Sequence, residues 1–341
     1  MKPAAIVSID LGKQTFHVVA HDEHGHELHR KKLSRKTYPK YFANLPPCIV
    51  AMEACGGSHF MAREMVRFGH QPKLIAAQHV RPYVKSNKND YADAEAICEA
   101  AGRPSMRFVA PKSEAQQSLA MLGAVRESYI KDRTATSNRI HSMCLEVGIG
   151  LSPGYKSIRE LPVVLEDCTF HPAIKSLLME LHSHFIYLDQ KLKVMDRQVE
   201  CQAAEDDLAH RLMTIPCVGP VISTALAAEL GDGRQFKCGR DYAASIGLVP
   251  KQHTTGGKPV LLGISKRGDR NQRRLLIQCA RVYLINLERQ KGQLADWVRQ
   301  LLSSHHANKV ACALANKIAR IAWAIAANHR EYDAGPSAMN A

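Results

Sequence analysis

Two aspartates stand three positions apart in Ser86-Asn87-Lys88-Asn89-Asp90-Tyr91-Ala92-Asp93-Ala94-Glu95, where a polar, basic segment gives way to a helix-forming run. On a helix, residues i and i+3 share a face with Cβ atoms about 5–6 Å apart. Asp90 and Asp93 therefore crowd two carboxylates, which repel unless a proton or a cation sits between them. Lys88 can neutralise one of them. Taken alone, the simpler reading is a capped helix start with a solvated acidic turn, since Asn and Asp favour both positions. Further carboxylates elsewhere in the chain change that reading.

Residues 4–9 read as a short buried strand that delivers Asp10 at its end, and residues 15–20 as a second strand. Asp22-Glu23-His24-Gly25 is a turn signal, after which residues 26–33 return as a third strand. His21, His24, His26 and His29 straddle that hairpin tip. Alternation along a strand splits them between faces, which argues against a zinc site needing convergent ligands. Residues 48–52 form another buried strand, followed directly by Glu53; the turn 54–58 leads into a helix reaching about Phe68. Residues 72–77 make a further strand, and the helix after Asp90 runs to about Gly102. Two acidic residues thus end strands and two more begin a later helix. In α/β sheets, ligands gather beyond the carboxyl ends of the strands.

A length of 341 residues is too great for one ordinary core, so two or three domains are expected. Lys plus Arg exceed Asp plus Glu by 46 to 32, a net charge of +14 that points to a polyanionic partner. The excess is clustered: Lys266, Arg267, Arg270, Arg273, Arg274 and Arg281 face only Asp269. A solvated helix face usually mixes signs, so this block favours phosphate contacts. No strongly amphipathic segment with aromatic anchors accompanies it, and no uninterrupted apolar run approaches the roughly 20 residues that span a bilayer. Without a signal-peptide pattern, a cytoplasmic location is expected. Of the ten cysteines, which form no C-x-x-C pair, most are read as small buried hydrophobes in a reducing compartment.

Residues 112–147 are helical with few breakers, 148–162 read as a loop rich in Gly, Pro and Ser, and 172–207 as a second long helix. The pair suggests an antiparallel hairpin or coiled coil, usable as a spacer or dimer element. Ile215-Pro216-Cys217-Val218-Gly219-Pro220 looks like the turn of a helix-hairpin-helix, whose backbone N–H groups can approach a DNA phosphate. Residues 245–258 read as a loop in which Thr254 and Thr255 adjoin Gly256 and Gly257, with Lys251 and Lys258 on either side. Such hydroxyls act as nucleophiles when a base or metal activates them. A basic helix from about Arg267 and a last helix from Asn308 to His329 close the domain, and the tail 333–341 is expected to be disordered.

Ser8-Ile9-Asp10, Met52-Glu53-Ala54-Cys55-Gly56, Asn87 to Ala94, Ile215 to Pro220, and Gly247-Leu248-Val249-Pro250 through Gly263-Ile264-Ser265-Lys266-Arg267-Gly268-Asp269 occur in an order and spacing that resembles, end to end, the DEDD-type insertion-sequence transposases, the RNA-guided bridge-RNA recombinases. The resemblance implies a RuvC-like, RNase H-type α/β domain over residues 1–111. A helical hairpin or coiled coil over 112–207 and a mainly α transposase domain over 208–332 would follow, the latter with a helix-hairpin-helix-like element and a nucleophile loop. It implies that Asp10, Glu53, Asp90 and Asp93 bind Mg²⁺, two ions being the expected number, and that a hydroxyl of the 254–257 loop attacks DNA. It also implies donor and target DNA as substrates, a structured noncoding guide RNA and a homo-oligomer (dimer or tetramer); from the charge pattern, Lys88, Lys251, Lys258, Lys266, Arg267, Arg270, Arg273 and Arg274 are the expected nucleic-acid contacts. The family has serine where this chain has two threonines. A β-branched residue restricts χ1 and crowds in-line attack. Thr255, beside the glycines, is preferred, with Thr254 the alternative, and a slower or blocked enzyme stays open. Two rival readings also stay open: a RuvC-like junction endonuclease using water, and a catalytically impaired nucleic-acid-binding scaffold.

Overall fold

The computed structural model describes residues 4–85, 89–166, 168–169 and 171–335. The chain divides into two compact units, Met1–Glu114 and Ala115–Ala341. Lys88 and the tail 336–341 lie outside the described residues.

The first unit is a mixed α/β sheet. Its strands are β1 (Ile6–Leu11), β2 (Thr15–His21), β3 (Glu27–Ser34), β4 (Ile49–Glu53), β5 (Gln71–Ile75) and β6 (Phe108–Val109), and its helices include α1 (Tyr38–Ala43), α2 (Ser58–Arg67), α3 (Ala77–Val80) and α4 (Asp90–Ala101). The strand order is β3-β2-β1-β4-β5-β6, antiparallel through β3, β2 and β1, parallel from β1 to β5, and antiparallel again at β6. Side-chain alternation sorts the two faces. Val7, Ile9, Val50 and Met52 pack with Tyr38, Phe42, Met61 and Met65 under α1 and α2. Ala51 and Ile75 pack with Ala96, Ile97 and Ala100 of α4 on the other face. Here the small side chains Ser8 and Ala51 meet an alanine-rich helix, which lets α4 lie close to the strands.

The second unit is mostly helical: α5 (Glu114–Glu146, its first residue in the first unit), α6 (Tyr155–Arg159), α7 (Leu161–Glu166), α8 (Pro172–Glu205), α9 (Asp207–Leu212), α10 (Pro220–Leu230), α11 (Gly239–Ser245), α12 (Arg270–Ile285), α13 (Gln293–Leu302) and α14 (Ala307–Asn328). Its only described sheet is β7 (Pro250–Thr255) with β8 (Lys258–Ile264). Arg126 of α5 pairs with Asp196 of α8 at 2.6 Å, and Arg133 with Asp189 at 2.6 Å. As one helix advances the other retreats, so the two run antiparallel. Val310, Leu314, Ile318, Ala322 and Ile325 recur every three or four residues along α14 and are buried in one core with residues of α9 to α13. This helix is long and apolar enough to span a membrane by length and composition, but its apolar stripe is spent on that core.

The structure corrects several local expectations. The segment 148–162, read as loop, contains α6 and the start of α7, because Ile158 and Leu161 are buried against Ile140, Leu178 and Phe185. The segment 245–258, read as a loop, contains the strand β7 and the Gly256-Gly257 turn that leads into β8. The basic helix begins at Arg270, not near Arg267, because Asp269 caps it by accepting the Gln272 N–H. Of the ten cysteines, all free, four are buried, four half-buried and two exposed, so fewer than half behave as enclosed hydrophobes.

Candidate functional site

Asp10 and Glu53 are brought together by strand pairing. β1 and β4 are parallel, with Ser8 opposite Ala51 and Ile9 opposite Met52. The next residues along the two strands are Asp10 and Glu53, on neighbours about 4.8 Å apart. Both share the parity of Ser8 and Ala51 and so point to the α4 face. That helix starts at Asp90, where the Asn89 side chain accepts the Tyr91 N–H at 3.0 Å and the Asn89 carbonyl accepts the Asp93 N–H at 2.9 Å. The cap fixes where the helix begins, and the positive end of its dipole favours acidic residues in the first turn.

The electrostatics register this convergence. Burial, then the carboxylates of Asp93 and Asp90, push the Asp10 carboxyl above its ordinary range; His17 opposes the rise and Glu53 adds to it. Burial and then Asp93 raise the Glu53 carboxyl as well. The nearby Cys55 thiol is raised by burial, Glu53 and Asp10 in that order. Each of the four predicted carboxylates therefore acts on Asp10 or is Asp10 itself. A cluster of this kind repels itself when fully ionised, and a divalent cation among hard oxygen ligands relieves it.

His17 was not among the residues singled out from sequence. It lies on β2 directly opposite Asp10, and its Nδ1 is 3.4 Å from Asp90 Oδ2. Ligand atoms of Asp10, His17 and Asp90 all fall within 4.8 Å of one another. The signal was present in the hairpin formed by residues 6–11 and 15–21: a turn centred on residues 13 and 14 pairs 10 with 17.

The predicted hydroxyls lie in the second unit. Thr254 and Thr255 end β7, and Gly256 and Gly257, at φ +57° and +76°, make the two-residue tip. Positive φ at both positions is what a type I′ hairpin turn requires. Thr255 pairs with Lys258, Thr254 with Pro259 and His253 with Val260, and every residue from Pro250 to Gly263 is exposed. Thr254 Oγ1 accepts a hydrogen bond from Gln252 at 3.0 Å.

Among the predicted basic contacts, Lys251, Lys258, Lys266, Arg267 and Arg270 are exposed. Arg273 instead donates to the Ile246 carbonyl at 2.9 Å, and Arg274 pairs with Glu127 at 2.7 Å. Those two guanidiniums hold the unit together in this structure. Gly247 and Gly268 both have positive φ, and a Cβ on either would collide with backbone of the opposite segment. The Gly-Leu-Val-Pro and Ser-Lys-Arg-Gly-Asp runs are thus two strands of chain crossing at contact distance. In the turn before α10, Ile215 and Val218 are buried in the helical core.

Residues 7–148 match a DEDD transposase family of the IS110 type, and residues 209–294 match the Transposase IS116/IS110/IS902 family. The chain is 50% identical over 325 residues to the transposase for insertion sequence element IS1328 of Yersinia enterocolitica, covering 95% of this chain and 97% of that one. It is 37% identical over 338 residues to the transposase for insertion sequence element IS1111A of Coxiella burnetii, covering 98% and 93%. With a sheet unit that gathers carboxylates, a helical unit and this similarity along nearly its whole length, the chain belongs to the IS110/IS116/IS902 family of insertion-sequence transposases, enzymes whose substrate is DNA.

Proposed function

We propose that this transposase cuts and rejoins the DNA of its own insertion sequence in a magnesium-dependent reaction. Asp10, Glu53, Asp90 and Asp93 would hold the cation, and a threonine hydroxyl would act as covalent nucleophile. The observation that supports this most is the crowding on Asp10, whose carboxyl is raised by burial and by the other three carboxylates. The donor set fits: Mg²⁺ takes hard oxygen ligands, and four carboxylates suit a pair of ions. When bound, such ions supply charge neutralisation and orientation at the scissile phosphate.

Thr255 is the better nucleophile on the hairpin's geometry. Alternation and register place it on one face with Lys258 opposite and His253 two residues back, while Thr254 shares the other face with Pro259 and Gln252. A cation for the phosphate and a proton acceptor are what an activated hydroxyl needs. Attack would join the Thr255 oxygen to phosphorus, release the displaced strand end as a hydroxyl, and conserve the bond for rejoining.

The remaining parts of the reading are a RuvC-like domain over 1–111, the helical span 112–207 as spacer or dimer element, and assembly as a homo-oligomer. In that assembly the carboxylates of one subunit meet the hydroxyl hairpin of another. A structured noncoding RNA would select donor and target by base pairing, leaving the protein to read backbone and shape through its basic surface.

The test is a joining assay on element-end DNA with Thr254→Ala and Thr255→Ala chains, run beside sequencing of the RNA that co-purifies with the wild-type protein. Loss of joining and of the protein–DNA adduct in Thr255→Ala alone is expected. Cleavage that survives both substitutions unchanged would hand the reaction to water, as in a junction endonuclease. RNA drawn at random from the cell, with none from beside the coding region, would remove the guide.

A further inference from the structure

Two buried histidines in the first unit are used differently. His70, 5% exposed, is fully satisfied: its Nε2 is 2.9 Å from the Phe42 carbonyl oxygen and its Nδ1 accepts the Cys48 N–H at 3.3 Å. His17 is 8% exposed, and its Nδ1 lies 3.4 Å from Asp90 Oδ2, a carboxylate at the site rather than a backbone partner. The edge of the Tyr91 ring, centroids 4.9 Å apart, holds the imidazole in place, and β2 pairing aims it at the site from opposite Asp10.

We propose that His17 is itself a cation ligand, so that the Asp10–His17–Asp90 position of the magnesium centre also takes a transition ion that accepts a nitrogen among oxygen ligands, and holds Mn²⁺, the probe, more tightly than Mg²⁺. This rests on the carboxylate-centre reading above and specifies its ligand chemistry. Mg²⁺ demands oxygen and dehydrates reluctantly, whereas imidazole nitrogen suits the later divalent metals and Mn²⁺ accepts both donor types. An ion bonded at about 2.1 Å draws its ligands to within about 4.2 Å of one another. The observed spread within 4.8 Å closes by a small adjustment of Asp90, the exposed member of the three.

The test uses the full-length protein and the metal alone. Titration calorimetry should give Mn²⁺ a dissociation constant about tenfold or more below that of Mg²⁺, and His17→Asn should erase most of that preference. Pulsed electron paramagnetic resonance of bound Mn²⁺ should show a nitrogen coupling that changes on ¹⁵N-histidine labelling, a measurement needing no variant. Mn²⁺ that binds without nitrogen coupling overturns the role of His17 and leaves the four-carboxylate centre standing. Failure of either ion to bind, with Asp10→Asn making no difference, overturns both.

Discussion

The carboxylate end of the sheet and the β7–β8 hairpin carry the two halves of the proposed chemistry and are built in opposite ways. Asp10 and Glu53 sit on strands with neighbours on both sides, beneath helices that cover both faces. Their positions are fixed by register, and their mutual repulsion is held in place by packing. The hairpin has one strand pair, an all-glycine tip and no buried residue, with Val260, Leu261 and Leu262 each at least half exposed and only Ile264 half-buried. A two-stranded ribbon is marginal alone and gains precision from what packs on it. Charge that must be concentrated is built into a rigid frame, whereas a hydroxyl that must be delivered is carried on a compliant one.

The largest expected effect separates the two directly. Asp93→Asn should lower the cleavage rate about 10²–10³-fold and weaken cation binding, read by calorimetry. The equivalent damage at the hairpin, Thr255→Ala, should leave cation binding as in the wild type. Cation binding that fell in both would mean that the two regions are not separable.

A second comparison is with a carboxylate that the chain neutralises for itself. Asp189 is buried, and although burial alone would raise its carboxyl, hydrogen bonds from Arg133 and Arg159 hold it below the ordinary range. Replacing it with Ala strands the largely buried Arg133 and should cost about 3 kcal/mol in urea unfolding. Because its folded-state value is lowered, its stabilisation is present above the usual carboxylate range and is lost as pH falls through the folded value.

Asp10 has the opposite sign. Its folded-state value is raised, so its contribution is full when protonated and is lost as pH rises through that value. In EDTA at pH 7–8, Asp10→Asn should therefore raise Tm by a few degrees, and the gain should vanish as pH falls below the carboxylate range. Mg²⁺ or Mn²⁺ should raise the wild-type Tm and leave the variant unmoved. A destabilised Asp10→Asn chain at neutral pH would contradict the electrostatic account.

The smallest effect belongs to the hairpin tip. Gly257→Ala forces a Cβ into positive φ, at roughly 1 kcal/mol. The hairpin contributes little to the core, so global Tm should hardly change while joining slows. A large fall in Tm would show that the ribbon is more tightly integrated than its exposure indicates.

Much of the N-terminal unit was readable because its signals are local. The buried strand runs around Ile9 and Met52, the Asn89 cap and the Asp90–Asp93 spacing each depend on a few adjacent residues. The second unit yielded less. Residues 250–255 carry no apolar alternation, and their strand exists because β8 folds back across a Gly-Gly turn. The short helices after Gly154 form because Ile158 and Leu161 find buried partners on α5 and α8, far away in sequence. Arg273 and Arg274 read as free cations, yet their partners Ile246 and Glu127 are supplied by other helices or their ends.

The sequence by itself determined which groups are available: carboxylates closing two buried strands, a capped helix opening with two more, and hydroxyls beside glycines in a basic region. Tertiary structure alone decided which of them meet. Strand parity turned Asp10 and Glu53 toward α4, and antiparallel register added His17 opposite Asp10. A strand's residue types are written along the chain, but the direction in which a side chain meets its neighbours depends on pairing between segments, and a shift of one residue would have turned every one of these groups away.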